Sequence, residues 1–205
     1  MTMYKRDCKK IAKWAMQKSE NFNALCCFVQ TTIQMPLSRT LGEMQDIREF
    51  GADSTALWGN KIKAYIYLTE NIDTLFADIK QAVADDDIIR AMDIMTEVPN
   101  LGMVKAGFVL QMCGLDVSCL DTHNIRRLQE SGYDIKVGDL KLPAGLKRET
   151  KLKKLAKYVK LTRETGGAEY WWNTWCDYVA EKGGMNKSLP TGDIVSKFHV
   201  TAVMA

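Results

Sequence analysis

The chain is expected to be all-α, on three observations. Apolar residues recur at three- and four-residue spacing in segment after segment. At Pro99-Asn100-Leu101-Gly102 a tight turn joins two such segments into a helical hairpin, because Pro presets φ near about −65° and Asn and Gly tolerate positive φ. No internal repeat or low-complexity tract interrupts the pattern. At 205 residues and 46% hydrophobic content, the chain suits one domain, or one core divided by a cleft into two lobes. It needs no metal or disulfide staple to bury that core. A net charge of +3 permits nucleic-acid binding without demanding it, so the positions of the charges decide.

Tyr4, Cys8, Ile11, Ala12, Ala15 and Met16 share one helical face, with Lys5, Lys9, Lys10, Lys13 and Lys18 largely elsewhere. This is an amphipathic first helix, and a solvated face explains its lysines better than DNA contact. Residues 21–34 have an apolar centre, a buried helix that ends before Pro36. Gly59-Asn60 permits a turn ahead of Lys61 and Lys63, with Trp58 as a core anchor, and a helix follows from about 72 to 83. Asp85-Asp86-Asp87 precedes Ile88, where carboxylates favour a helix N-terminus electrostatically; capping is preferred to a metal site.

Ile88, Met92, Met95 and Val98 fall on one face of the first hairpin helix. Val104, Phe108, Leu110 and Met112 fill most of the second, which is short and nearly all apolar. Its first backbone N–H groups have no intrahelical acceptor, and with the positive end of the helix dipole they form a ready phosphate site. After a short loop at 114–118, Cys119-Leu120-Asp121-Thr122-His123-Asn124 brings an acid to the start of another helix. Asp121 is a good N-cap there.

Residues 129–145 form a polar surface connection in which Tyr133, Ile135 and Val137 make a short extended piece. In residues 146–160, LKRETKLKKLAKYVK, the stripe Leu152, Leu155, Ala156 and Val159 is surrounded by Lys and Arg against Glu149 alone. A solvated face and phosphate contact weigh equally for this segment. Residues 168–179 hold three of the five tryptophans. Trp171, Trp175 and Tyr178 share a side that reads as core, with one aromatic available to wall a base pocket. The tail after Gly183-Gly184 receives no function. Six scattered cysteines without a secretory leader point to reduced thiols in a cytoplasmic protein. No run approaches the ~18 apolar residues of a membrane span.

Pro-Asn-Leu-Gly-x-x-Lys-Ala at 99–106, a short apolar helix, then Leu-Asp-Thr-His-Asn-x-x-Arg at 120–127 resembles the helix-hairpin-helix DNA glycosylase superfamily, the endonuclease III and adenine-glycosylase relatives. The resemblance implies a two-lobed helical fold with a central cleft. One lobe spans about 20–128 with the hairpin at about 86–113; the other joins 1–19 to 146–205. It implies that Asn100, Leu101, Gly102, Met103, Val104 and Lys105 grip a DNA phosphate through backbone amides, and that Asp121 is the catalytic carboxylate, with Thr122, His123 and Asn124 beside it at the DNA. Gln34, or Gln30 as second choice, would wedge into the base stack. Leu57 to Ala64 is similar to the family segment that opens a helix near the DNA backbone, so that Lys61 and Lys63 would touch phosphate.

Two features depart from the family. Val104 stands where bifunctional members carry the Schiff-base lysine, and Lys105 is turned about 100° away round a helix. Either Lys105 is drawn in as nucleophile or none exists; the second reading is preferred, with Lys105 as a phosphate contact. The four closely spaced C-terminal cysteines of an iron–sulfur cluster are absent, since only Cys176 lies in that region. The implied activity is therefore monofunctional excision of a damaged, mismatched or modified base from double-stranded DNA by flipping, without metal or cofactor, by a monomer. The small size suits a phage-like member working in a host's cytoplasm. A DNA-base hypermodification enzyme and a non-catalytic DNA-binding module on the same fold are the alternatives. Asp121 speaks against the last; Val104, and Asn at the first turn glycine, leave the former open.

Overall fold

The protein is described by a computed structural model covering residues 3–34 and 39–181, apart from the side chains of 3–7, Leu41, Cys176 and 178–181. Pro36, the Tyr178 side chain and the tail from Gly183 therefore lie outside what is described. The described chain is helical throughout and contains no strand. Its helices are α1 (Met3–Ala15), α2 (Ser19–Thr31), α3 (Thr40–Phe50), α4 (Asn60–Ala84), α5 (Ile88–Met95), α6 (Met103–Met112), α7 (Thr122–Glu130), α8 (Arg148–Glu164) and α9 (Gly167–Glu181). No helix among the described residues is long and apolar enough to cross a membrane.

Helical periodicity accounts for what is buried. Cys8, Ile11, Trp14 and Ala15 of α1 turn inward, as do Ile88, Met92 and Met95 of α5. Asp87 caps α5, its Oδ1 accepting from the Arg90 N–H at 3.0 Å, so a carboxylate at that junction serves the helix start. One contiguous core runs from Cys8 through the hairpin to Trp172, with α5 packed on α4 and α8, and α6 on α1, α2 and α5. A small second cluster, Ile47, Ala56 and Leu57, lies under the loop between α3 and α4. That loop hangs on Asp46, whose Oδ2 accepts from Ser54 Oγ (2.5 Å), Thr55 Oγ1 (3.1 Å) and the Ala56 N–H (3.2 Å).

Four expectations need correction. The helix expected at about 72–83 begins at Asn60 and runs 25 residues. No Gly or Pro interrupts it, and Ala64, Leu68, Leu75, Ile79 and Ala82 continue one buried stripe. Trp58 is not a core anchor but 48% exposed, standing on the turn before Gly59, whose φ of 56° swings the chain into α4. The 133–137 piece forms no strand: Lys136 is extended, but Val137 opens the 3-10 turn Val137–Leu140, and Ile135 and Leu140 tuck inward. The basic face of α8 does have compensating acid, supplied across the interface by the first hairpin helix. Lys151 Nζ lies 2.8 Å from Asp93 and also pairs with Glu97, while Arg148 reaches Asp93 at 3.7 Å. Linear sequence shows the lysines together and their partners some fifty residues away.

Candidate active site

The hairpin turn is held from a distance. Asn100 adopts φ 68°, which a short amide side chain tolerates. Its Nδ2 donates to Gln30 Oε1 at 2.9 Å, and Gln30 Nε2 donates to the Pro99 carbonyl at 3.3 Å. Gln30 is 2% exposed at the end of α2. A buried amide with both ends committed cannot enter a base stack, so Gln30 clamps the turn and is no wedge. Gln34, four residues on, is exposed with φ 58°.

Beyond the turn, Gly102 opens α6 in extended geometry without a side-chain cap. Its carbonyl accepts from the Lys105 and Ala106 N–H groups, whereas the N–H groups of Gly102, Met103 and Val104 have no acceptor among the described residues. Leu101 and Met103 are buried as whole residues, while Gly102 between them is exposed. Along the rest of α6 every side chain from Ala106 to Met112 is buried, leaving Val104 and Lys105 half-buried at its first turn. The Lys105 ammonium sits 5.7 Å from the centroid of Phe108, a cation–π distance. Phe108 in turn packs edge-on against Trp175 at 5.6 Å and against Trp172 at 6.3 Å.

The loop after α6 carries the acid. Tyr158 of α8 donates its hydroxyl to the Ser118 carbonyl (2.5 Å) and accepts from the Leu120 N–H (3.1 Å). This lays the loop directly on Gly107, where a Cβ would stand 2.6 Å from the Ser118 carbonyl oxygen and 3.2 Å from the Tyr158 ring. At its other end, Asp116 accepts from the Ala168 N–H at 2.8 Å and fixes the loop to the start of α9, while Gln111 Nε2 donates to the Ala168 carbonyl at 2.8 Å.

Asp121 thereby emerges as the N-cap of α7, half-buried. Its Oδ1 accepts from the His123 and Asn124 N–H groups, both at 3.0 Å; Oδ2 has no hydrogen-bond partner among the described residues. The neighbouring Cys119 thiol is pushed up to about 12, chiefly by burial; the Asp121 charge adds to the rise, while the Lys105 charge and a hydrogen bond with the Asp121 backbone oppose it. Burial, Cys119 and Asp121 also raise the Tyr158 phenol, against the Leu120 N–H.

The expected residues therefore separate. The turn 100–104 leads into Lys105, and Lys105 and Asp121 both act on the Cys119 thiol. Thr122 and His123 are exposed at the start of α7. Asn124 is corrected: it is 2% exposed, with Nδ2 donating to the Cys119 carbonyl (2.7 Å) and Oδ1 accepting from Arg127 (3.1 Å), which leaves nothing for DNA. Lys63 is exposed on α4, and no contact ties it to this group. Lys61 is 2% exposed, so it cannot lie along a DNA backbone. Tyr158 and Gly107 are the positions shaping this loop that linear reading misses, whereas Gln30 stands out in sequence for a different role. Of Tyr158 and Gly107 only the latter, a glycine inside an apolar helix, leaves a trace in sequence.

A groove of about 500 Å3 adjoins the first turn of α6, lined by Met103, Tyr133, Lys154, Lys157, Tyr158 and Lys160 among others. Cys8, Cys26, Cys27, Cys113 and Cys119 are not joined in disulfides, and no His, Cys, Asp and Glu cluster suited to a metal ion occurs among the described residues. The chain matches no protein-family model, no curated protein and no solved structure.

Proposed function

We propose that the protein is a monofunctional DNA glycosylase. The observation that carries this reading is the state of Asp121. One carboxylate oxygen is tied to two helix N–H groups while the other is uncommitted, beside a helical hairpin whose second helix offers unpaired amides. The unpaired N–H groups of Gly102, Met103 and Val104 suit a DNA phosphate, with charge and dipole acting together. Lys105 adds a cation one residue on, and Lys154 and Lys157 line the adjoining groove where the flanking strand would continue.

The chemistry follows from a base turned out of the duplex. As the N-glycosidic bond breaks, its electron pair leaves with the base and positive charge builds on the sugar at C1′. Asp121 Oδ2 stabilises that charge and orients a water, whose oxygen bonds to C1′ while its proton is taken up by the carboxylate or the departing base. Val104 has no nucleophilic atom, so the product is an abasic site with an intact strand. Lys105 acts on phosphate rather than as an amine nucleophile. Gln34 is the remaining wedge, and the half-buried Trp175 the aromatic wall.

The test incubates purified protein with duplexes that each carry one modified base, analysed with and without alkali beside Asp121→Asn. Strand breaks that need alkali and vanish in the variant support the reading and name the base. Breaks without alkali turn the assignment toward Lys105, and binding without breakage favours base modification or binding alone.

A further inference from the structure

The groove beside the first turn of α6 has walls of two different chemistries. One wall is α8, where Lys154, Lys157, Lys160 and Glu164 recur at three- and four-residue spacing and so share a face. The other includes the loop after α7, which brings in Tyr133, Asp134 and Asp139. That loop is pinned: the Tyr133 N–H donates to the Leu128 carbonyl at 3.0 Å, and Gln129 Nε2 donates to the Ile135 carbonyl at 2.7 Å. Tyr133 is nevertheless 42% exposed, a large ring left at the surface on a fixed backbone.

The charges of the groove are not equally available. Glu164 lies 3.5 Å from Lys160, and Asp139 Oδ2 accepts from the Lys136 N–H at 2.9 Å. Lys154, half-buried, makes one long contact, 3.5 Å to the Lys141 carbonyl. The side chains of Lys157 and Asp134 are exposed and have no ion-pair or hydrogen-bond partner among the described residues. Two ammonium groups thus stay open to a ligand on one wall, and a ring with an adjoining carboxylate on the other. An inorganic anion answers the lysines alone, and an acidic peptide leaves the ring and Asp134 unused. A nucleotide answers all of them: its phosphate takes the lysine donors, its base stacks on the ring, and a base amino group donates to the carboxylate. A volume of about 500 Å3 lies within the roughly 300–1,000 Å3 of sites for one compact ligand, and it is too small to admit a duplex. The groove is also continuous with the hairpin. Met103, which lines it, is the first residue of α6, and its N–H has no acceptor among the described residues.

We propose that this groove binds one unpaired nucleotide of a DNA strand, its base stacked on Tyr133 and read by Asp134, its phosphate held by Lys154 and Lys157. Cytosine is favoured over thymine, because cytosine presents an amino donor to the carboxylate where thymine presents a carbonyl. The substrate is then DNA in which duplex passes into single strand, so this site rests on the DNA reading above but not on excision by Asp121.

Fluorescence anisotropy of the full chain at fixed salt, with short labelled oligo-deoxycytidine and oligo-thymidine strands, provides the test. Free deoxycytidine monophosphate, polyglutamate and a blunt duplex are run beside them. The deoxycytidine strand is expected to bind about tenfold tighter than the thymidine strand. Tyr133→Ala lowers the affinity for both about tenfold, the loss of one stacked base. Asp134→Asn brings the two strands together, since an amide both donates and accepts. Both side chains are exposed, so both variants should melt with the wild type. No binding of either strand, equal binding of the two by the wild type, or unchanged affinity in Tyr133→Ala overturns the proposal. So does displacement of the deoxycytidine strand by an equal concentration of the free nucleotide, which makes a mononucleotide the ligand, or of polyglutamate, which makes it an acidic chain. Blunt-duplex binding and excision on the duplex panel are scored separately, so failure of the hairpin grip or of the Asp121 chemistry is told apart from failure of this site.

Discussion

The Tyr158 hydroxyl lies 3.1 Å from the Leu120 backbone nitrogen, bridging 38 residues of sequence to hold the peptide just before Asp121. The same oxygen donates to the Ser118 carbonyl, so one phenol closes both polar groups of a buried loop. Tyr158→Phe keeps the ring but leaves a buried N–H and a buried carbonyl open, at a cost of about 1–3 kcal/mol. Urea unfolding should register that loss, and single-turnover excision should fall further than duplex binding does. Gly107→Ala attacks the same contact from below through overpacking, at about 1–3 kcal/mol. Equal excision by wild type and both variants would remove the loop from any catalytic account.

Gln30 clamps the hairpin turn by two hydrogen bonds made 69 and 70 residues away in sequence. Gln30→Leu retains burial and loses both, at about 1–2 kcal/mol of stability. The turn amides then lose their fixed aim, so duplex affinity is expected to drop about tenfold, which is ~1.4 kcal/mol. Fluorescence anisotropy at fixed salt measures it; unchanged affinity means the turn is not the phosphate grip.

Asp121 has two separable roles. Asn at this position still accepts the His123 and Asn124 N–H groups, so Asp121→Asn should melt close to wild type. Asp121→Ala loses the cap as well, at about 1 kcal/mol. Both should reduce excision by roughly 10²–10³ or more, the scale of losing one group that stabilises developing charge. Excision surviving in Asp121→Asn would leave this residue a cap only.

The lysines of α8 divide by partner. Lys151 is committed to Asp93 and Glu97, whereas Lys157 is exposed beside the groove next to Met103. Lys157→Ala should lower the slope of log affinity against log salt by about 0.9 if it neutralises one phosphate. Lys151→Met should lower stability and leave that slope alone. The reverse pattern would place DNA on the other side of α8.

Asp46 ties the α3–α4 loop, and its carboxyl is held below the usual range, first by the Ser54 hydroxyl and then by the Ala56 and Thr55 groups, against desolvation. Its unfolded form takes up a proton at higher pH than its folded form. The stabilisation is therefore complete above the ordinary aspartate range and is lost as pH falls through the folded value. Urea midpoints of wild type and Asp46→Asn should differ at pH 6 and converge in acid; a constant gap would assign the effect to packing.

Local chemistry made much of this protein legible. The helix faces of α1, α5 and α6, the Pro99–Gly102 turn and the Asp87 and Asp121 caps depend on residues within four positions of one another. Apolar spacing and capping preferences act over that range, so the all-α class and the acid at the start of α7 could be read from the chain alone. The reading failed where a local cue had a distant partner. Lysines on α8 looked uncompensated because Asp93 sits on another helix and Glu97 in the turn just beyond it, and Trp58 looked like core because indoles usually are.

Packing decided the rest. Whether Gln30 is a wedge or a clamp depends on Asn100, whether Asn124 faces DNA depends on the Cys119 carbonyl, and Gly107 matters only because Tyr158 presses a loop against it. Each of these outcomes is set by which groups are left without water in the interior. That is a property of surfaces brought together from distant parts of the chain, and no short window of sequence contains it.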